Sequence, residues 1–229
     1  IESDSPQLTA IKDRISKYDE ISKSGVVFIK DENQALDAFV EDFRRSGGVD
    51  PDYVKAVTFN NERHNASQSV KNLNDKIRLK LWGEASKEQF VPGELVTAYS
   101  TYSRDSGGDE NEIPAHNSDD FIVTDVEYRN SQQGFVTAYS NKDGTRKFNY
   151  KYDIVILSLL NSDGKPIIGY SVPVIANSSK LQYEQDVAKL WKTDKGLAFA
   201  LTNEFANIQY GYAITSHKAQ GSTYRSTYV

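Results

Sequence analysis

The chain has 229 residues, carries 27 Lys+Arg against 32 Asp+Glu for a net charge of −5, and contains no Cys. That length fits one or two compact domains, and the missing Cys excludes disulfide frameworks, thiolate zinc sites, iron–sulfur clusters and cysteine nucleophiles. The acidic balance argues against nucleic-acid binding through bulk positive charge, though not against one basic strip on an acidic body.

No apolar run reaches the roughly 18–20 residues that span a bilayer, and no signal-peptide pattern opens the chain, so no membrane partner is expected. A hydrophobic content of 38% reads as globular rather than disordered. The start at Ile1, the stop at Val229 in mid-pattern and the absence of Met predict a piece of a longer protein.

The first ninety residues alternate helix and strand patterns. Ser5-Pro6 sets a helix start, followed by one stripe of Leu8, Ile11, Ile15 and Tyr18. Val26–Ile29 predicts a short buried strand. Asn33 is placed to cap the next helix, with the stripe Leu36, Phe39, Val40 and Phe43, and Gly47-Gly48 to stop it. Tyr53–Phe59 predicts a second buried strand. After a polar loop at 60–65, Val70, Leu73, Ile77 and Leu81 form an amphipathic helix, with Lys71, Lys76, Arg78 and Lys80 on its solvated face. This alternation argues for parallel α/β architecture.

Near Pro92-Gly93 the period drops to two. Glu94–Ala98, Phe121–Tyr128, Gly134–Tyr139, Phe148–Leu157 and Pro166–Val174 predict five short strands, the size of a small antiparallel barrel. Asn141–Gly144 and Asn161–Gly164 both end in Asp-Gly, a turn signal, and Tyr150 and Tyr152 are assigned to the barrel core. The acidic stretch 104–120 reads as a loop. Helical patterning returns at Leu181–Trp191 and Gly196–Ile208. Tyr210–Thr215 reads as a buried strand that rejoins the first sheet.

Searches for phosphate-loop, dinucleotide, nucleophile-elbow and zincin motifs find nothing. His64, His116 and His217 lie far apart, without the close pairing of a zinc site. His64 and His116 read as loop residues, and Trp82 and Trp191 as packing residues. The run Thr215–Thr223 directly follows a strand and offers hydroxyl, imidazole, ammonium and carboxamide groups around Gly221. On that chemistry alone it reads first as an ordinary loop, and second as an anion-binding turn.

Tyr212–Tyr224 resembles motif V of superfamily 1 DNA helicases of the RecD/Dda/Pif1 branch, written T-x-H-K-x-Q-G-x-T. Ala56–Asn61 and Ser69–Arg78 are similar to the strand-loop-helix that precedes the insertion in that family. Phe90–Val96 and His116–Val123 resemble the entry to its SH3-like barrel. The resemblance implies an α/β fold: an incomplete RecA-like parallel-sheet lobe, interrupted by a small antiparallel SH3-like β-barrel. Residues 1–90 would start the second RecA-like lobe, 91–208 would hold the barrel and following helices, and 209–229 would return to the lobe.

What the family implies is an ATP-driven motor that moves along single-stranded DNA. Thr215, His217, Lys218, Thr58, Asn60 and Asn61 would contact the nucleic acid. Gln220, Gly221 and Thr223 would face the nucleotide. ATP and Mg2+ would serve the parent protein, with none bound by this piece alone, because the phosphate-loop lobe and arginine finger lie outside it. The implied partners are single-stranded DNA, the N-terminal RecA-like lobe and replication or recombination proteins, in the cytoplasm of a bacterial or phage-infected cell. The alternative is a non-motor interaction or nucleic-acid-binding module with a degenerate helicase lobe.

Overall fold

A computed structural model describes residues 29, 31–47, 50, 52–60, 69–102, 115–141, 144–161, 172–220 and 223–229. The chain divides into two compact units, 1–37 and 38–229. The expected 8–18 helix, most of the Val26–Ile29 strand, residues 104–114 of the acidic loop, most of the Pro166–Val174 strand, most of the Asn161–Gly164 turn and His64 lie outside the described residues.

Helix α1 spans Glu32–Arg45. Asp31, not Asn33, caps it: the Asp31 carboxylate accepts from Gln34 N at 2.9 Å. Phe39, Val40 and Phe43 are buried on one stripe, and Gly47 ends the helix at φ 73°, a left-handed conformation that suits a residue without a Cβ. Strand β1 is Val54–Thr58, and α2 is Val70–Trp82 with Ser69 Oγ accepting from Asn72 N at its N-cap. A 3-10 turn, Gly83–Lys87, follows.

Next come β2 (Leu95–Ala98), β3 (Asp120–Ser140), β4 (Gly144–Leu160) and β5 (Val172–Ile175). Then follow α3 (Lys180–Thr193), α4 (Lys195–Glu204), β6 (Ile208–Tyr210), β7 (Ala213–Thr215) and β8 (Ser226–Tyr228).

Two sheets result. One is parallel, in the order β7-β1-β8; the other is antiparallel, in the order β5-β4-β3-β2-β6. The antiparallel sheet curls toward itself, and Ala206 N donates to Pro173 O at 2.8 Å across the gap between its two edges. Val96, Phe121, Val155, Leu157, Val172 and Ile208 fill the concave side.

Its strands are not the five expected. Phe121–Tyr128 and Gly134–Tyr139 belong to one 21-residue strand. The polar stretch between them is absorbed as a bulge: Asn130 and Ser131 together oppose Asp153, Ser131 adopts φ 55°, and the Asp153 carboxylate accepts from Ser131 N at 2.7 Å. A side-chain acceptor replaces the lost ladder partner, so the strand continues. The β3–β4 hairpin forms where the turn was expected, with Gly144 at φ 67° and paired to Ser140; residues 142 and 143 lie outside the described residues.

Tyr150 and Tyr152 are not in the barrel core. With Phe148, Ile154 and Ile156 they line the opposite face of β4, against Leu197, Leu201 and Phe205 of the helical segment. Strand β4 thus serves two cores, odd-numbered residues facing one and even-numbered the other. Helix α4 stops at Glu204 rather than Ile208, because the chain there turns into β6.

Tyr210–Thr215, read as one strand, is split between the sheets: β6 ends at Tyr210 and β7 begins at Ala213. Gly211 makes the crossing possible. A Cβ there would meet Thr97 Oγ1 at 2.5 Å and the Val96 carbonyl carbon at 3.1 Å. Trp82 does pack, donating Nε1–H to Tyr212 OH at 2.9 Å, whereas Trp191 stands 45% exposed. No described helix is long and apolar enough to cross a membrane.

Candidate nucleic-acid interface at the edge of the parallel sheet

Strands β1 and β7 run parallel with Thr58 opposite Thr215, so the loops that leave their C-terminal ends emerge side by side. Ligands of open parallel sheets bind at such ends, where connecting loops diverge and backbone groups are free. Ser216 N donates to Thr58 O at 2.8 Å, tying the second loop to the first strand.

The first loop is pinned at both ends. Asn60 N donates to Thr58 Oγ1 at 3.4 Å, and Val70 N donates to Asn60 O at 2.9 Å. Thr58 is buried, Asn60 is exposed, and Asn61 lies outside the described residues. Phe59, expected inside a buried strand, instead sits beyond β1 and is 83% exposed. In the sequence an aromatic after Ala56-Val57-Thr58 continues the strand pattern, and the Asn60-Asn61 pair is the signal that the strand has ended.

The second loop is a tight turn. Thr215 Oγ1 accepts from Lys218 N at 3.3 Å and Thr215 O from Ala219 N at 3.0 Å. That turn leaves His217 and Gln220 exposed. Thr223 is exposed as well, and Gly221 lies outside the described residues.

Lys218 turns the other way. Its Nζ lies 3.3 Å from the centroid of the Tyr99 ring and is buried without a hydrogen-bond acceptor. Burial pulls the ammonium below its ordinary range, partly opposed by the Asp120 carboxylate. A desolvated cation of this kind gains most from an anion brought to the surface above it.

Beneath this edge, buried polar groups join the two sheets. Lys55, fully buried in β1, donates to Gly211 O at 2.7 Å and pairs with Asp120 Oδ2 at 2.7 Å. Asp120 Oδ1 also accepts from Thr97 Oγ1. Asn74 holds the crossing from the other side: its Nδ2 donates to Tyr210 O at 3.2 Å and Ala213 O at 3.1 Å, and its Oδ1 accepts from Ala213 N at 2.8 Å. The crossing would otherwise strand backbone groups with no ladder partner.

Arg78, expected on a solvated face, is buried and bridges α2 to the curled sheet. Its Nε donates to Glu94, its Nη1 to Ser86 O at 3.0 Å and its Nη2 to Glu88 O at 2.9 Å, while its guanidinium lies over the Tyr210 ring. Burial pushes the Glu94 carboxyl above its usual range, and Arg78 pulls it back.

An open cleft of about 720 Å³ lies between α2, β6, α3 and α4, with Lys71, Asp75, Lys180 and Glu184 on its walls. None of the expected site residues lines it. Among the described residues, no group of three or more His, Asp or Glu side chains is arranged to hold a metal ion.

The fold is thus mixed α/β, a parallel sheet joined to a curled antiparallel half-barrel. No family model matches the chain. A stretch of 43 residues is 54% identical to an uncharacterized protein of Acanthamoeba polyphaga mimivirus, covering 19% of this chain and 8% of that protein. The chain therefore spans a small fraction of the length of that relative.

Proposed function

We propose that the chain is the second-lobe portion of an ATP-dependent superfamily 1 DNA helicase of the RecD/Dda/Pif1 branch, contributing single-strand contacts and one wall of the nucleotide cleft. One observation carries the reading. The two segments that resemble family motifs, Thr58–Asn61 and Thr215–Thr223, are far apart in sequence yet leave adjacent parallel strands in register.

In this reading Thr215, His217 and Asn60 approach backbone phosphates, and the buried Lys218 ammonium adds positive potential beneath them. Phe59 is an exposed ring at the same edge onto which a base can stack. Gln220, Gly221 and Thr223 follow on the same loop, so a nucleotide and a DNA strand would touch opposite ends of one short segment. Thr223 and Gln220 are both exposed and fit a polar nucleotide wall. ATP, when bound with the other lobe, would supply the phosphoryl-transfer energy. This chain's part is to hold phosphate oxygens and transmit lobe movement through the 216–220 turn.

The test is fluorescence anisotropy of this chain with a labelled oligothymidylate across a salt series. Binding should weaken linearly in log salt, since phosphate contacts release counterions. The double variant Thr215→Ala/His217→Ala should weaken binding roughly tenfold. No salt slope, or a preference for duplex, would overturn the proposal.

A further inference from the structure

The β3–β4 hairpin extends beyond the half-barrel, and on one of its faces the side chains described are exposed. On β4 the odd-numbered residues face the barrel core at Val155 and Leu157; the same face continues through Lys151, Asn149 and Lys147, all exposed. Opposite them on β3 stand Phe135, 56% exposed, and Tyr139, 73% exposed, with Phe135 paired to Asn149 and Thr137 to Lys147. Neither β3 from 132 to 140 nor β4 from 144 to 152 contains an acidic residue. In a chain of net charge −5 this is a local basic, aromatic strip.

The opposite face of the hairpin is fixed. Tyr150 stacks on Tyr152 at 5.3 Å, its hydroxyl donates to Glu204 Oε1 at 2.8 Å, and Arg146 pairs with Asp194 at 2.9 Å. The open face is therefore held on a rigid support rather than on a free ribbon.

We infer that the outer face of this hairpin is a second binding surface for single-stranded nucleic acid, with Phe135 and Tyr139 as stacking rings and Lys147 and Lys151 as phosphate partners. Bases stack on exposed aromatic faces with little sequence preference, and alternating Lys side chains track the backbone. Lys147 Nζ now lies 3.7 Å from the centroid of the Phe135 ring. An exposed contact of that kind is weaker than base stacking, so a base displaces the ammonium and leaves it facing the adjacent phosphate. An anionic membrane would also attract Lys and aromatic side chains. Inserting this face, however, would bury Thr137 and Asn149 among lipid without hydrogen-bond partners. The inference rests on residues separate from the parallel-sheet edge, so either surface can stand if the other fails.

The experiment uses the whole chain and a labelled oligothymidylate, comparing Phe135→Ala/Tyr139→Ala with Thr215→Ala/His217→Ala, each checked for native circular dichroism. The hairpin double variant should bind at least about fivefold more weakly, the low end of losing one stacked base. Lys147→Glu/Lys151→Glu should flatten the salt slope. Tyr139→Trp should bind normally, with its indole fluorescence quenched by the oligonucleotide. Unchanged affinity in the hairpin double variant, with a loss only at Thr215 and His217, overturns this inference and leaves the proposed function standing. A loss only in the hairpin variant does the reverse. Tighter binding to phosphatidylserine vesicles than to the oligonucleotide overturns it in favour of a membrane surface.

Discussion

Lys218 and Arg78 are both partly or wholly withdrawn from water, and their partners give them opposite energetics. Lys218 has an aromatic ring and no acceptor, so its charge costs stability. Replacing it by Met should stabilise the chain by on the order of 1 kcal/mol, a figure discounted because solvent screens a side chain that is only half-buried. The same change should weaken oligothymidylate binding, which a thermal melt and an anisotropy titration would show together. Arg78 has carboxylate, carbonyl and ring partners, so its loss leaves Glu94 buried and uncompensated. Arg78→Met should cost about 3–5 kcal/mol in urea denaturation. The pH dependence has a definite sign. A folded-state carboxyl above its unfolded value means the folded state binds more protons, so stability is full below the unfolded value and falls as pH rises through the folded one. Removing Arg78 raises that carboxyl further, and the deficit of the variant should be smaller near the unfolded carboxylate value than at neutral pH. An equal deficit across that range would show that Glu94 enters the fold neutral in both proteins.

At the scale of elements, the informative segment is Tyr210–Thr215, where one apolar run feeds two sheets. Period and composition predict a single strand, and the isolated Gly211 signals a close backbone approach without saying that the chain changes sheet there. The signal lies elsewhere, in a Lys inside the apolar strand β1 and an Asn in the middle of α2. A buried Lys55 ammonium and the Asn74 amide supply the donors and acceptor that the crossing backbone lacks. Asn74→Ala should therefore destabilise by about 2–4 kcal/mol, well beyond the helix-propensity gain that Ala brings, as read from the urea midpoint. Gly211→Ala should be of similar severity, because its Cβ meets backbone and Thr97 rather than a yielding side-chain tip. The β3–β4 hairpin makes the complementary case. Its alternation and the place of its turn were legible, but the bulge at Asn130–Ser131 was not, since its stabilising acceptor, Asp153, comes from the facing strand.

Over the whole second unit, the two sheets are coupled through buried polar ties: Lys55–Asp120, Asn74 at the crossing, and Arg78–Glu94. Such ties are specific in direction and distance, so they fix how the sheets are joined in a way apolar packing alone does not. Residues 38–229 should consequently unfold in one cooperative transition. Lys55→Met should leave Asp120 without its ion pair and lower the melting temperature by several degrees. A scan of that variant with two separated transitions would show that the pair is what couples the sheets, whereas one lowered transition would show that Asn74 and Arg78 suffice. The same coupling places the Thr58 and Thr215 loops at a common edge, which is the basis of the functional proposal.

The amino-acid order by itself determined the mixed α/β class, helices over the stripes Leu36–Phe43, Val70–Leu81 and Leu181–Trp191, and the place of the β3–β4 hairpin. Those features depend on local periodicity, capping and turn chemistry, which neighbouring residues decide. Only the tertiary structure decided that Lys218 points inward, that Arg78 is buried and that Tyr150 and Tyr152 serve a second core. Each of those outcomes depends on a partner distant in sequence: Tyr99 for Lys218, Glu94 for Arg78, Phe205 for the two tyrosines. Desolvation is a property of the assembled surroundings, so a side chain's own identity does not reveal whether it will be charged, paired or buried.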